Sequence, residues 1–230
     1  MNELFVDSAT IGVVISLLSY QIGVFLRNKT KKAIFNPLLI SIILVIAFLL
    51  LFNIDYEHYN QSAKYLSYLL TPATVSLAIP LYEKLDLLKK HLGATVVGIS
   101  AGVLTSLVSI WGMSLLFDLS HSEYVTLLPK SITTAIGIGV SEELGGYVSI
   151  TATAIIVTGI LGNIVGEFIC KCFRIKNAIS RGLALGTSSH AIGTTKAMEM
   201  GEIEGAMSSL SIVVAGLLTV VLASVFAMLY

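Results

Sequence analysis

The sequence predicts an all-α polytopic membrane protein with about six full transmembrane helices, two polar hairpins that re-enter the bilayer or break within it, and an internal repeat. Three observations lead there. The 230 residues are 55% hydrophobic and 12% charged, with a mean hydropathy of +0.89, too apolar and charge-poor for a soluble globular domain. Six apolar stretches reach the roughly 20 residues that a span requires. Two further stretches, 125–146 and 178–201, mix apolar residues with charges, hydroxyls and glycines, which cannot simply face lipid.

The first span, 4–26, follows Glu3 with Asp7 just inside it and lacks the basic leader of a secretory signal, so it reads as a true span. The others are 34–52, 65–82, 92–117, 147–169 and 205–229. Basic residues collect in 27–32, at Lys84, Lys89 and Lys90, and at Lys171, Arg174, Lys176 and Arg181, and such loops belong on the cytoplasmic side. The loops 53–61 and 118–124 hold Asp55, Glu57, Asp118 and Glu123 but no lysine or arginine. They belong outside, and an outside N-terminus in the inner (cytoplasmic) membrane follows. If all three basic loops stay inside, 125–146 enters and leaves from the outer face and 178–201 from the inner face. The alternative is that one or both cross fully as discontinuous helices.

Leu70-Thr-Pro72-Ala-Thr-Val-Ser-Leu-Ala-Ile79 lies without gaps over Leu127-Leu-Pro129-Lys-Ser-Ile-Thr-Thr-Ala-Ile136, and at the same offset Gly102-Val-Leu falls on Gly159-Ile-Leu. Transporters often carry such repeats, with interrupted helices at corresponding places. The chain therefore reads as one integral membrane domain, 1–230, made of a helix pair (4–63), a first repeat unit (64–117), a second (124–173), and a polar hairpin with the last helix (178–230). Pro72 and Pro129 each remove a backbone donor and are expected to act as hinges. Gly145, Gly146 and Gly186 are expected to serve likewise through backbone freedom and close approach.

Lys130 sits between Pro129 and Ser131, ahead of Thr133 and Thr134. An ammonium there needs Glu142 or Glu143, freed carbonyls or a small anionic substrate as its partner, unless it snorkels to the surface. Glu142-Glu-Leu-Gly-Gly146 reads as a hairpin turn with carboxylates at its rim, one of which could titrate. In the second hairpin Thr187, Ser188 and Ser189 precede His190, with Gly193, Thr194 and Lys196 after it. Hydroxyls and exposed amides suit an anion, and a histidine titrates near neutral pH, making His190 a natural proton-coupling group. Asn163 and Glu167 share a helix face, with Glu167 near the inner end, solvated or paired with lysine.

Cys170 and Cys172 have a spacing that fits neither a zinc site nor a disulfide framework, and read as juxtamembrane thiols, with palmitoylation the alternative. No metal or cofactor is implied. A formal charge of zero implies no nucleic-acid partner, and no catalytic fingerprint is present, so an enzyme is not expected.

Pro129-Lys-Ser-Ile-Thr-Thr, Ser141-Glu-Glu-Leu-Gly-Gly, Thr158-Gly-Ile-Leu-Gly, Arg181-Gly-Leu-Ala-Leu-Gly-Thr-Ser-Ser-His-Ala-Ile-Gly-Thr and Glu199-Met-Gly-Glu-Ile-Glu-Gly-Ala together resemble the LrgB/CidB family. The resemblance covers nearly the whole chain, with departures at Ala135, Tyr147 and Glu167. It implies one of two roles. One is a carrier of a small monocarboxylate such as pyruvate, glycolate or lactate. The other is an antiholin- or holin-like regulator of murein hydrolase export and autolysis that has no substrate site of its own. Either way it implies a small LrgA/CidA-type membrane partner, and assembly into a homo-oligomer within the lipid bilayer is expected.

Overall fold

The computed structural model describes residues 10–32, 34–76 and 78–230, and among them it contains helices and turns but no strand. The acidic start and the first residues of the 4–26 span lie outside the described residues. The chain divides into two compact units, Met1–Ser76 and Leu77–Tyr230.

In the first unit, α1 (Ile11–Thr30) buries Gly12, Ser19 and Gly23. A Cβ at Gly12 would lie 2.8 Å from the Tyr59 carbonyl oxygen, and one at Gly23 would lie 2.7 Å from that of Pro37. Only glycine therefore permits these approaches to α3 (Tyr56–Ala63) and α2 (Pro37–Leu51). Asn36 caps α2 by accepting from the Leu38 and Leu39 N–H groups at 2.9 and 3.1 Å, with Pro37 at the first helical position, where its missing donor costs nothing.

The expected span 65–82 opens with a 3₁₀ turn (Lys64–Leu69), followed by α4 (Leu70–Ser76) and, in the second unit, α5 (Ala78–Glu83). Pro72 and Pro80 each occupy the third residue of a short helix, within the first turn where proline is tolerated.

The second unit continues with α6 (Leu85–Lys90), α7 (Leu92–Phe117), α8 (His121–Leu127), α9 (Thr134–Glu143), α10 (Val148–Cys172), α11 (Ala178–Met200) and α12 (Glu202–Ala227). Among the described residues, four helices are long and apolar enough to cross a membrane: α1, α7, α10 and α12. With 15 residues, α2 is about 22 Å long, short of the roughly 30 Å hydrocarbon core.

Ser120 and Glu123 form a capping box that starts α8. Thr126 then holds the α8–α9 hairpin together. Its hydroxyl accepts from the Tyr147 N–H at 2.7 Å, and its carbonyl accepts from the Thr151 hydroxyl at 2.9 Å. Thr151 Oγ1 also shares a hydrogen bond of 2.6 Å with Ser141 Oγ. Farther along, a Cβ at Gly137 would lie 3.3 Å from the Pro129 carbonyl oxygen. With 126 level with 141 and 129 level with 137, the chain reverses within 128–133. This corrects the expected position of the hairpin turn. The 142–146 stretch does turn, with Gly145 at φ 79°, but it joins α9 to α10.

The reversal in α11 is sharper. His190 has φ 43° and ψ −138° inside an otherwise helical segment, a conformation that L residues rarely adopt. A Cβ at Gly193 would lie 2.7 Å from the Leu185 carbonyl oxygen, yet residues eight apart in a straight helix are separated by about 12 Å. The segment therefore folds back on itself. The first limb runs antiparallel to α10, with Ser189 at Gly162 and Leu185 at Gly166. The second limb runs parallel to it, with Asn163 donating to the Ile192 carbonyl at 2.9 Å and Glu167 meeting Lys196 at 2.7 Å. Both limbs rest on α12: Gly182 faces Met207 and Gly186 faces Ser211, while Thr194 and Ser208 share a hydrogen bond of 2.7 Å. The core of this unit gathers Ile99, Val103 and Leu107 of α7, Tyr124 and Leu128, and Met207 and Ala215 of α12.

Candidate functional site

Both reversals arrive at α7. Ser131 shares a hydrogen bond of 3.1 Å with Ser106, and one turn earlier a Cβ at Gly102 would lie 2.6 Å from Thr187 Cγ2. Residues 102 and 106 are about 6 Å apart along the axis, so the two turning points sit at nearly the same height. Between them is a cavity of about 580 Å³ whose polar lining comes from Thr105, Ser106 and Ser109 of α7, from Lys130, and from Ser180, Thr187 and Ser188 of α11.

The lining contains no carboxylate. Lys130 Nζ donates to Ser131 Oγ at 3.1 Å, which satisfies one of its three protons and none of its charge. Thr187 is buried and its hydroxyl has no partner among the described residues. A cation, a partnerless hydroxyl and further hydroxyls around one space are what a small anion requires to replace its hydration. The volume lies within the usual range for a small-molecule site.

The expected site residues divide. Lys130, Thr187 and Ser188 line the cavity, and Ser131 stands behind them on Ser106. Thr133 precedes α9 as its N-cap, and Thr134 begins that helix; both are half-buried and outside the lining. Ser189, His190, Gly193 and Thr194 turn instead toward α10 and α12. His190 Nε2 lies 3.0 Å from the Ile155 carbonyl oxygen. Because a carbonyl only accepts, this nitrogen carries the proton. His190 and Lys130 therefore share a level but face different surroundings. Glu142 and Glu143 are exposed at the end of α9 and do not line the cavity. Pro129 is buried in the reversal, Gly146 packs on Ser141 and Thr126, and Gly186 packs on α12. Pro72 belongs to the first unit.

Sequence reasoning missed the contribution of α7. Gly98, Gly102, Ser106 and Ser109 follow a helical spacing that was legible as a small, polar face, but they lie in a run apolar enough to read simply as a span. Also missed was the pairing of Arg181 with the buried Glu204. Glu167 holds Lys171 at 2.8 Å and Lys196 at 2.7 Å, as its place near the end of α10 led one to expect. Among the described residues, no three His, Cys, Asp or Glu side chains gather as a metal site would require.

The LrgB-like family model matches residues 16–229. The antiholin-like protein LrgB of Bacillus subtilis (strain 168) is 40% identical over 219 residues, covering 95% of both chains. Its namesakes from Bacillus mycoides (strain KBAB4) and Bacillus cereus (strain B4264) are each 38% identical over 216 residues, covering 94% of both chains. No solved structure matches the chain. A match that runs from the first span through the last helix, including both reversals, is decisive, and the chain belongs to the LrgB-like family.

Proposed function

We propose that this chain is an antiholin-like protein of the cytoplasmic membrane that restrains murein hydrolase export and autolysis together with a small LrgA/CidA-type membrane partner. The observation that carries this reading is the 40% identity, over 95% of the chain, to a protein named antiholin-like. Deleting the gene should advance autolysis and raise murein hydrolase activity in the culture medium, and restoring the chain should reverse both. Unchanged lysis in the deletion strain would refute it.

The cavity favours a second reading, that of a carrier for a small monocarboxylate. Lys130, Thr187 and Ser188 supply charge and hydrogen-bond donors to an anion, and on this reading His190, which shares their level but faces α10, is the proton-coupling group. Proteoliposomes should take up pyruvate, glycolate or lactate saturably, and Lys130→Ala and His190→Ala should each abolish uptake. Absence of uptake with partner binding retained would leave the regulator alone.

Both readings use one topology. The α8–α9 hairpin enters from the outer face and α11 from the inner face, neither crosses, and the N-terminus lies outside. The fold-back contacts at Gly137 and Gly193 support this arrangement. So does the repeat, because its matching glycines, Gly102 and Gly159, sit against Thr187 and His190 on either side of the α11 reversal. Cys172, exposed beside the basic cluster, should react with impermeant thiol reagents from the inner face only, and labelling from outside would overturn the orientation.

A further inference from the structure

Four cations meet where α10 ends and α11 begins. A cavity of about 340 Å³ is lined by Cys170, Lys171, Arg174, Ile175, Lys176 and Arg181, and the stretch from 171 to 181 contains no acidic residue. Two of the cations are already matched, Lys171 by Glu167 at 2.8 Å and Arg181 by Glu204. Arg174 and Lys176 have no ion pair among the described residues. The Nε of Arg181 is buried and has no acceptor among the described residues.

The rim is built rather than loose. Arg174 takes φ 55°, with its N–H bonded to the Lys171 carbonyl at 3.1 Å and the Ile175 N–H bonded to that of Cys170 at 2.8 Å, which closes the end of α10 and fixes both guanidinium-bearing turns. Asn177 then caps the first limb of α11, accepting from the Ser180 N–H at 3.2 Å. Close by in sequence, Phe168 near the end of α10 and Phe173 just after it are 68% and 76% exposed. Guanidinium groups bind phosphate oxygens through directed donor pairs, and basic pockets at the ends of membrane helices hold anionic headgroups.

We propose that this pocket is a phosphate-binding site in which Arg174, Lys176 and Arg181 hold a phosphate group, from either an anionic lipid headgroup or a free phosphate ion. The site uses none of the residues around Lys130 and stands whichever role the protein plays.

The test uses the full chain purified in a neutral detergent, with phosphatidylglycerol, phosphatidylcholine and inorganic phosphate as separate probes. Retained lipid is counted by native mass spectrometry and protection is read from the thermal midpoint. Arg174→Gln with Lys176→Gln alters two exposed side chains, and an unchanged midpoint without any probe confirms that the variant is folded. Preferential retention of phosphatidylglycerol over phosphatidylcholine, weakened roughly thirtyfold in the double variant, supports a headgroup site, each interfacial cation contributing about a factor of five. Protection by inorganic phosphate that the double variant loses supports the same site with a soluble anion as its occupant. Equal retention of both lipids together with no effect of phosphate overturns the proposal, as does any binding that the double variant leaves intact.

Discussion

Replacing Gly159 by alanine tests the reversal at His190 directly. The added methyl would lie 2.8 Å from His190 Cε1, 2.9 Å from Nε2 and 2.8 Å from the Ile192 terminal methyl, against an ordinary carbon contact of about 3.5 to 4.0 Å. Restoring normal contact requires the ring to retreat by roughly 0.8 Å. The 3.0 Å bond from Nε2 to the Ile155 carbonyl would then stretch to roughly 3.8 Å, beyond hydrogen-bond reach. A buried donor left unpaired costs about 1–3 kcal/mol, and overpacking costs about 1–3 kcal/mol more. The better helix propensity of alanine returns about 1 kcal/mol, so the net loss is about 1–5 kcal/mol. The assay is thermal unfolding in detergent, followed by the reactivity of Cys170, which is 4% exposed, in a Cys172→Ser background that removes the exposed thiol. Gly112→Ala on α7 is the control, because nothing lies within 4 Å of its Cβ, and it should be neutral or slightly stabilising. If Gly159→Ala unfolded at the same temperature as its parent, His190 would not sit against α10 as described.

Gly102→Ala would set its methyl 2.6 Å from Cγ2 of the buried Thr187, a β-branched side chain with little freedom to retreat, so it should lower the unfolding temperature as well as narrow the cavity, at a cost of about 1–3 kcal/mol. In proteoliposomes its effect should fall on KM more than on kcat. For Glu167 and Lys196, a double-mutant cycle of Glu167→Gln and Lys196→Met should return a coupling of about 1 kcal/mol, the modest value fitting a glutamate side chain that is 37% exposed; a coupling of zero would mean that the second limb of α11 is held without this pair. The capping box has an acid dependence of defined sign. The Ser120 hydroxyl, and then its N–H, hold the exposed Glu123 carboxyl below its usual range. That contribution is present above the ordinary carboxylate value and is lost as pH falls through the lowered one. Ser120→Ala should therefore shift the onset of acid destabilisation of α8 to higher pH, measured by amide hydrogen exchange of residues 121–127.

The long apolar helices, the basic loops and the two polar inserts were legible because bilayer insertion and charge asymmetry act on local composition. The 65–82 stretch reads as one α-helical span, yet it opens with a 3₁₀ turn over 64–69, a local tightening of the backbone that side-chain hydropathy does not register. A fold-back within 178–201 was legible in its polar composition, but the residue on which it turns left no local mark. It turns on a histidine rather than on glycine or proline, and both limbs are sound helices. What makes room for that conformation lies elsewhere: Gly159 and Gly162 on α10 admit His190 and Ser189, and Gly193 admits the Leu185 carbonyl. A strained residue costs about 1–3 kcal/mol and persists only where its surroundings over-determine it, and those surroundings are long-range. The cavity was half legible for the same reason. Lys130 and the hydroxyls before His190 stand out in an oily chain, but which of them face one space depends on the direction of each reversal, and it is this that separates Thr187 and Ser188 from Ser189 and His190.

The energetics of Lys130 bear on the choice between the two functional readings. A lysine near the middle of a membrane helix costs about 2.5–3.5 kcal/mol, and here a single hydroxyl bond offsets it, with no carboxylate in the lining. Lys130→Met keeps the length of the stem and deletes the charge, so it should stabilise the empty protein by about 1–3 kcal/mol on either reading. What separates them is the response to a ligand. If the ammonium serves a carboxylate, millimolar pyruvate, glycolate or lactate should raise the unfolding temperature of the parent protein and leave that of Lys130→Met where it was, because binding to the folded state alone is what shifts the equilibrium. If the charge serves only contacts with a membrane partner, neither protein should respond to the acids, and Lys130→Met should weaken partner binding instead. A parent and variant protected equally by the acid would place the anion somewhere other than this cavity and remove the support that the Lys130 geometry gives to a carrier.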